Sequence, residues 1–122
     1  MELKTVWLGK TWNFAEETDS TNDWAKREAG KGAPHGAVFL ARNQTKGKGR
    51  RGRSWADPKG SGLAMSLLLR PDMPPERAPM MTVLMGLSAA QAVADVTGKT
   101  AQIKWPNDLV MSGKKLLSLI HI

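Results

Sequence analysis

Short apolar runs with a period of two recur along the chain, interrupted by two stretches whose apolar spacing is helical. Residues 1–10 mix charge with Val6, Trp7 and Leu8 and predict no element. Trp12, Phe14 and Ala15 alternate in part over residues 11–17, which predicts a short strand. Asp19, Ser20, Thr21 and Asn22 are N-capping types, and residues 23–29 suit a short helix that Gly30 and Gly32 stop. From propensity alone, Ser20, Thr21 and Asn22 read as a helix cap.

Residues 34–36 predict a turn, and 37–41 a buried strand that runs into a basic loop. Past that loop, residues 57–62 carry turn chemistry. Leu63, Met65, Leu67 and Leu69 then alternate as a mostly buried strand ending at Arg70-Pro71. The best helical pattern follows Pro74 and Pro75 and covers residues 76–97. Met80, Val83, Leu84, Leu87, Ala90 and Ala94 recur there at three- and four-residue spacing. Its methionines are expected in the core, and Gly98 suits the C-terminal stop. Residues 102–105 and 109–111 predict strands around a turn at 106–108. Ser112-Gly113 turns the chain again into Lys114-Lys115-Leu116. Strands come singly and in hairpins, without regular βαβ alternation, so the expected class is α+β.

Composition narrows the function classes. The 122 residues fit one domain, or a piece of one, and their hydrophobic content of 41% is ordinary for a globular protein. No cysteine is present, which excludes disulfides, thiolate metal sites and cysteine nucleophiles. Two histidines, His35 and His121, are too few for a histidine-based metal site. No run is expected to be long and apolar enough to span a bilayer, and the N-terminus lacks a signal-peptide layout. The expectation is therefore a cytoplasmic protein without a membrane partner. A net charge of +7 favours an anionic partner.

Much of that charge sits in one segment: Gln44-Thr45-Lys46-Gly47-Lys48-Gly49-Arg50-Arg51-Gly52-Arg53-Ser54-Trp55. Glycine permits positive φ and close backbone approach, successive N–H groups can cradle an anion, and guanidinium forks match phosphate oxygens. Polyphosphate and nucleic-acid backbones are both ligands of this type. A solvated basic loop is the plain alternative.

Four segments together carry a resemblance to a known family. They are Ser20-Thr21-Asn22; Gln44 with the glycine-basic loop through Trp55; Lys104-Trp105-Pro106-Asn107-Asp108-Leu109; and Lys114-Lys115-Leu116. Their order and spacing resemble the catalytic domain of biotin protein ligases, over about residues 7–116. The resemblance implies an ATP-dependent ligase that converts biotin to biotinyl-adenylate. The biotinyl group then passes to a lysine of a biotin carboxyl carrier domain. It also implies a mixed, largely antiparallel sheet backed by helices, as in lipoate ligases and class II aminoacyl-tRNA synthetases, here incomplete.

By the same resemblance, Ser20, Thr21, Asn22 and Gln44 contact biotin, offering the donors and acceptors that a ureido ring needs. Lys48, Gly49 and Arg50 would lie along the biotin carboxylate and the phosphates. Lys115 would contact the activated carboxyl, which makes Arg50 and Lys115 the catalytic candidates. Arg51, Arg53, Trp55, Asn107 and Asp108 are assigned to ATP or adenylate, with Trp55 equally suited to anchor the loop. Asp108 is left open between holding Mg2+ and positioning a basic residue. The family commonly has arginine where Lys48 stands; lysine keeps the charge and loses the bidentate fork.

Past Leu116 the chain departs from the family pattern. Residues 117–122 (Leu-Ser-Leu-Ile-His-Ile) resemble translated sequencing adapter and are read as a non-native tail, with a genuine apolar strand as the alternative. On that reading later strands, part of the nucleotide pocket and a small C-terminal β-domain are missing, and the chain alone is expected to fold poorly and act weakly. Too few residues precede Ser20 for the helix-turn-helix DNA-binding domain of some relatives. The alternative functions are a lipoate ligase on the same fold and a nucleic-acid-binding module that uses the basic loop and some of five tryptophans.

Overall fold

The computed structural model describes residues 5–47, 62–104, 108–111 and 114–118. The chain divides into two compact units, Met1–Pro71 and Asp72–Ile122.

In the first unit, β1 (Trp12–Thr18) leads through α1 (Thr21–Gly30) to β2 (Val38–Gln44), which β3 (Ala64–Leu67) follows. The sheet order is β1-β2-β3, with β1 and β2 parallel and β2 and β3 antiparallel. One βαβ unit is therefore present within the mixed sheet, which the reading without βαβ alternation did not separate out. Its helix is only ten residues long, yet it is enough to bring β2 back alongside β1. α1 packs on β2 and β3. Ala25, Ala37 and Phe39 form the buried centre, with Trp24, Ala33 and Leu68 against them. The Trp24 and Phe39 rings meet edge to face at 5.3 Å.

The β2–β3 register puts Ser66 opposite Phe39. This corrects the expected burial of β3. Ser66 is the buried residue of that strand, whereas Leu63 and Met65 are more than half exposed. Successive side chains take opposite faces, and Ser66 takes the face shared with the α1 packing. The apolar alternation at odd positions therefore points the other way.

The second unit has a 3₁₀ turn at Pro75–Arg77, then α2 (Pro79–Thr97) and strands β4 (Gln102–Lys104), β5 (Asp108–Met111) and β6 (Lys114–Ser118) in one antiparallel sheet. α2 starts at Pro79, three residues later than its spacing predicts, because proline fits the first helical turn, where its missing N–H costs nothing. Gly98 ends it in the left-handed region at φ 72°, its N–H donating to the Ala94 carbonyl. β6 includes Leu117 and Ser118, paired with Leu109 and Asp108.

Two expectations about α2 are corrected. Met80 is 64% exposed, and Leu84, Leu87 and Val96 are exposed as well, so its apolar residues are mostly not core. Apolar side chains occur all round this helix, and β4 and β5 can cover only one side of it. With 19 residues and a mean hydropathy of 1.3, α2 also reaches the length and composition of a membrane span. Unlike the buried core helix of a soluble fold, α2 is covered by β4 and β5 on one side only among the described residues.

Candidate functional site

The parallel register pairs Thr18 with Gln44, so the end of β2 lies beside the start of α1. The chain leaving β2 is fastened there: Thr45 N–H donates to the Thr18 carbonyl at 2.9 Å, and Lys46 N–H to the Asp19 carbonyl at 2.7 Å. The glycine-basic segment thus departs from the N-terminus of α1, beyond the carboxyl ends of two parallel strands. Open α/β arrangements place ligands in such a crevice.

Four polar side chains converge at this point. Thr21 N–H donates to Gln44 Oε1 at 2.8 Å, and the Thr21 hydroxyl lies 3.3 Å from the same oxygen. Ser66 Oγ is 2.8 Å from Thr21 Oγ1 and also bonds Asn22 Oδ1. A backbone N–H can only donate, so the Gln44 carboxamide is fixed with its oxygen inward and its Nε2 turned away. Ser20, Thr21 and Ser66 are buried, whereas Asn22 and Gln44 are half-buried. Burial makes the polar contacts obligatory, because an unpaired hydroxyl there would lose its water without replacement.

Ser20 has a second task. Its backbone is extended and its Oγ accepts from Asp23 N–H at 3.0 Å, which caps α1. Asp19 braces the same turn: its carboxylate accepts from Ser20 N–H at 2.7 Å and from both terminal guanidinium nitrogens of Arg27 at 2.7 and 3.1 Å. The paired bonds from Arg27, with the Ser20 N–H next, hold the Asp19 carboxyl well below the usual carboxylate range. Asp19 reciprocally raises the Arg27 guanidinium.

Of the predicted biotin contacts, the structure brings Thr21, Asn22 and Gln44 into one hydrogen-bonded cluster and sets Ser20 beside it as the cap. Ser20 does the capping that propensity predicts, and Thr21 and Asn22 join the hydrogen-bonded cluster. Lys48, Gly49, Arg50, Arg51, Arg53, Trp55 and Asn107 lie outside the described residues. For Asp108 and Lys115 the backbone alone is described, in β5 and β6, with Lys115 paired to Val110. Ser66 and Asp19 were missed. The available signal for Ser66 was a lone hydroxyl in the apolar run Leu63–Leu69; for Asp19 it was an acid eight residues before Arg27 across a helix start. Among the described residues, no group of three His, Cys, Asp or Glu could hold a metal ion.

Residues 14–121 match the biotin/lipoate A/B protein ligase family, and the chain belongs to it. It is 36% identical over 118 residues to the bifunctional ligase/repressor BirA of Bacillus subtilis, covering 97% of this chain and 36% of that protein. It is 38% identical over 105 residues to the biotin–[acetyl-CoA-carboxylase] ligase of Paracoccus denitrificans, covering 84% and 43%. Among solved structures, the biotin protein ligase from Aquifex aeolicus in complex with biotin and ATP superposes with a TM-score of 0.71 at 36% identity. That match covers 87% of this chain and 44% of the other. The Leishmania major enzyme in complex with biotinyl-5-AMP gives 0.74 at 29% identity, covering 87% and 49%. The chain spans less than half the length of these relatives.

Proposed function

We propose that this chain supplies the biotin-binding part of a biotin protein ligase. The observation that carries the reading is the cluster of Thr21, Asn22, Gln44 and Ser66 at the point where the basic loop begins. Two N–H groups at the start of α1 are already taken by side chains, Thr21 N–H by Gln44 and Asp23 N–H by Ser20. This end of the crevice therefore suits a neutral polar group such as a cyclic urea, with phosphate left to the cations that follow.

The reaction has two steps. A biotin carboxylate oxygen bonds to the α-phosphorus of ATP, and pyrophosphate leaves. The neutral amine of an acceptor lysine then bonds to the acyl carbon, and AMP leaves. Lys48, Arg50 and Lys115 would offset charge on the carboxylate and phosphates, and Gly49 would admit close backbone approach. Arg51, Arg53, Trp55 and Asn107 would hold the nucleotide. Mg2+ would arrive with ATP, since it is held by substrate phosphates with one or two carboxylates, and Asp108 is the candidate among them. The acceptor is a biotin carboxyl carrier domain, and a cytoplasmic site goes with the ATP requirement.

The test is exchange of labelled pyrophosphate into ATP by the purified protein, with biotin or lipoate as the acid. Exchange is expected to be weak in this chain by itself, to depend on biotin, and to be at least about tenfold weaker still with lipoate. Exchange with lipoate alone would move the reading to a lipoate ligase. Steeply salt-dependent retention on nucleic acid, with no exchange, would favour a nucleic-acid module.

A further inference from the structure

The carbonyl of Asp19 and the N–H of Ser20 are the two ends of one planar peptide group. Both ends are held. The oxygen accepts from Lys46 N–H at 2.7 Å, and the N–H donates to the Asp19 carboxylate at 2.7 Å. Two guanidinium nitrogens of Arg27 grip that carboxylate at 2.7 and 3.1 Å, and the Thr18 hydroxyl reaches it at 3.1 Å. Backbone N–H groups and a guanidinium only donate, and an ionised carboxylate only accepts, so every bond in the set ends on an Asp19 oxygen. Capping does not call for this arrangement, because Ser20 Oγ already serves Asp23 N–H at the helix start. What the Asp19 side chain adds is the orientation of the peptide that joins it to Ser20. Beyond that peptide on one side, Thr21 N–H binds Gln44; on the other, Lys46 opens the cationic segment. Lys48 and Arg50 follow within four residues, a span of about 14 Å at most, so the place of Lys46 limits where those cations can reach.

We propose that Asp19 is a positioning residue: its carboxylate, braced by Arg27, locks the Asp19–Ser20 peptide and so sets the start of the cationic segment relative to Thr21 and Gln44. The proposal rests on the reading of a biotin site whose carboxylate end faces the cations, and it deepens that reading. Its consequence is specific to one end of the ligand. Groups that meet Thr21 and Gln44 are held without Asp19, because the Thr21–Gln44 bond does not pass through it. A negatively charged group further along meets cations whose placement depends on Asp19. A direct effect of charge has the opposite sign, since removing an anion close to an anion site strengthens binding of a carboxylate there.

The experiment is calorimetric binding of biotin and of biotinamide, which carries no charge at the carboxyl end, to the purified protein and to Asp19→Ala, Asp19→Asn and Arg27→Met, with thermal unfolding of each. The unsubstituted protein is expected to prefer biotin by about tenfold or more, as for a hydrogen bond to a charged group. Asp19→Ala should leave biotinamide nearly unchanged and cut the preference to about threefold or less. Asp19→Asn keeps an oxygen for Ser20 N–H and should restore most of the preference. Arg27→Met, at a half-exposed side chain, gives the reading if Asp19→Ala does not fold. It should lose part of the preference in 0.5 M salt as in dilute buffer, roughly, because a displaced segment stays displaced where a direct charge effect is screened. A preference unchanged or raised in folded Asp19→Ala would overturn the proposal, as would equal weakening of both ligands or a preference unchanged in Arg27→Met. Equal affinities for the two ligands in the unsubstituted protein would overturn it too, by removing the cations from the carboxylate. No binding of either ligand by that protein would instead overturn the site reading itself.

Discussion

Thr21 and Gln44 lie 23 residues apart, and the backbone N–H of the first donates to the side-chain oxygen of the second at 2.8 Å. This bond ties the first turn of α1 to the last residue of β2, and it fixes the polarity of the Gln44 amide. The two functions can be separated by substitution. Gln44→Glu keeps an oxygen for Thr21 N–H but removes the Nε2 donor. It should leave the unfolding temperature near that of the parent while weakening biotin by about tenfold or more. Gln44→Ala removes both, and should lower the unfolding temperature as well as the affinity. Calorimetric titration beside thermal unfolding distinguishes them, and equal biotin affinity for Gln44→Glu and the parent would remove Gln44 from the binding site.

The Asp19–Arg27 brace predicts a pH dependence. Asp19 has a folded pKa below its unfolded value, so the folded state binds its proton more weakly. Its contribution to stability is fully present above the unfolded carboxylate pKa of about 4. It is lost as pH falls below that value toward the depressed folded one. The pair is partly exposed, so the effect should be small, a few degrees at most in unfolding temperature and less in high salt. Comparing unfolding at pH 7 and about pH 3 checks this. Asp19→Asn should lower the value at pH 7 and flatten the dependence; the same pH profile in Asp19→Asn and the parent would assign the acid sensitivity elsewhere.

These residues show what could be read from the sequence and what could not. The capping chemistry of the Ser-Thr-Asn segment was legible because a cap is local: Ser20 reaches only as far as Asp23. The family motifs brought Gln44 into the same site, but its bond to Thr21 depends on the parallel β1–β2 register, which no local pattern encodes. Ser66 was hidden for a related reason. Its neighbours Leu63, Met65 and Leu67 form a convincing apolar alternation, and which face of β3 turns toward α1 depends on pairing with β2. The exposure of Met80 and Leu84 is the converse: helical spacing says where apolar residues fall, not how much sheet is available to cover them.

Ser20→Ala tests the cap separately from the cluster. Removing Oγ leaves Asp23 N–H without its acceptor at a buried helix start, and a cost of about 1 kcal/mol is expected. Ser20→Asn offers a side-chain oxygen at the cap and should recover part of that loss. If Ser20 serves only as a cap, biotin affinity should track stability across Ser20→Ala and Ser20→Asn. A loss of affinity in Ser20→Asn larger than its loss of stability would show that the Ser20 hydroxyl also meets the ligand. Chemical denaturation beside titration supplies both quantities.

Gly36 predicts the largest single-residue effect outside the site. Its φ of 89° lies where an L side chain is disfavoured, at a cost of about 1–2 kcal/mol. The space is closed too: a Cβ there would stand 2.8 Å from Trp7 Cε3 and 2.9 Å from the Trp7 carbonyl oxygen. The backbone cannot easily shift away. Gly36 N–H donates to the Leu68 carbonyl at 2.7 Å, and its own carbonyl accepts from Gly9 N–H at 2.9 Å. Trp7 in turn stacks on His35 with ring centroids 4.4 Å apart, which restrains the ring. Gly36→Ala should therefore destabilise by more than about 2 kcal/mol, the strain and the overlap acting together. Trp7→Ala removes the ring contact but neither the carbonyl contact nor the strained φ. In a double-mutant cycle, Trp7→Ala should relieve only part of the Gly36→Ala penalty. Complete relief would locate the whole effect in the Trp7 ring, and no relief would locate it in the backbone.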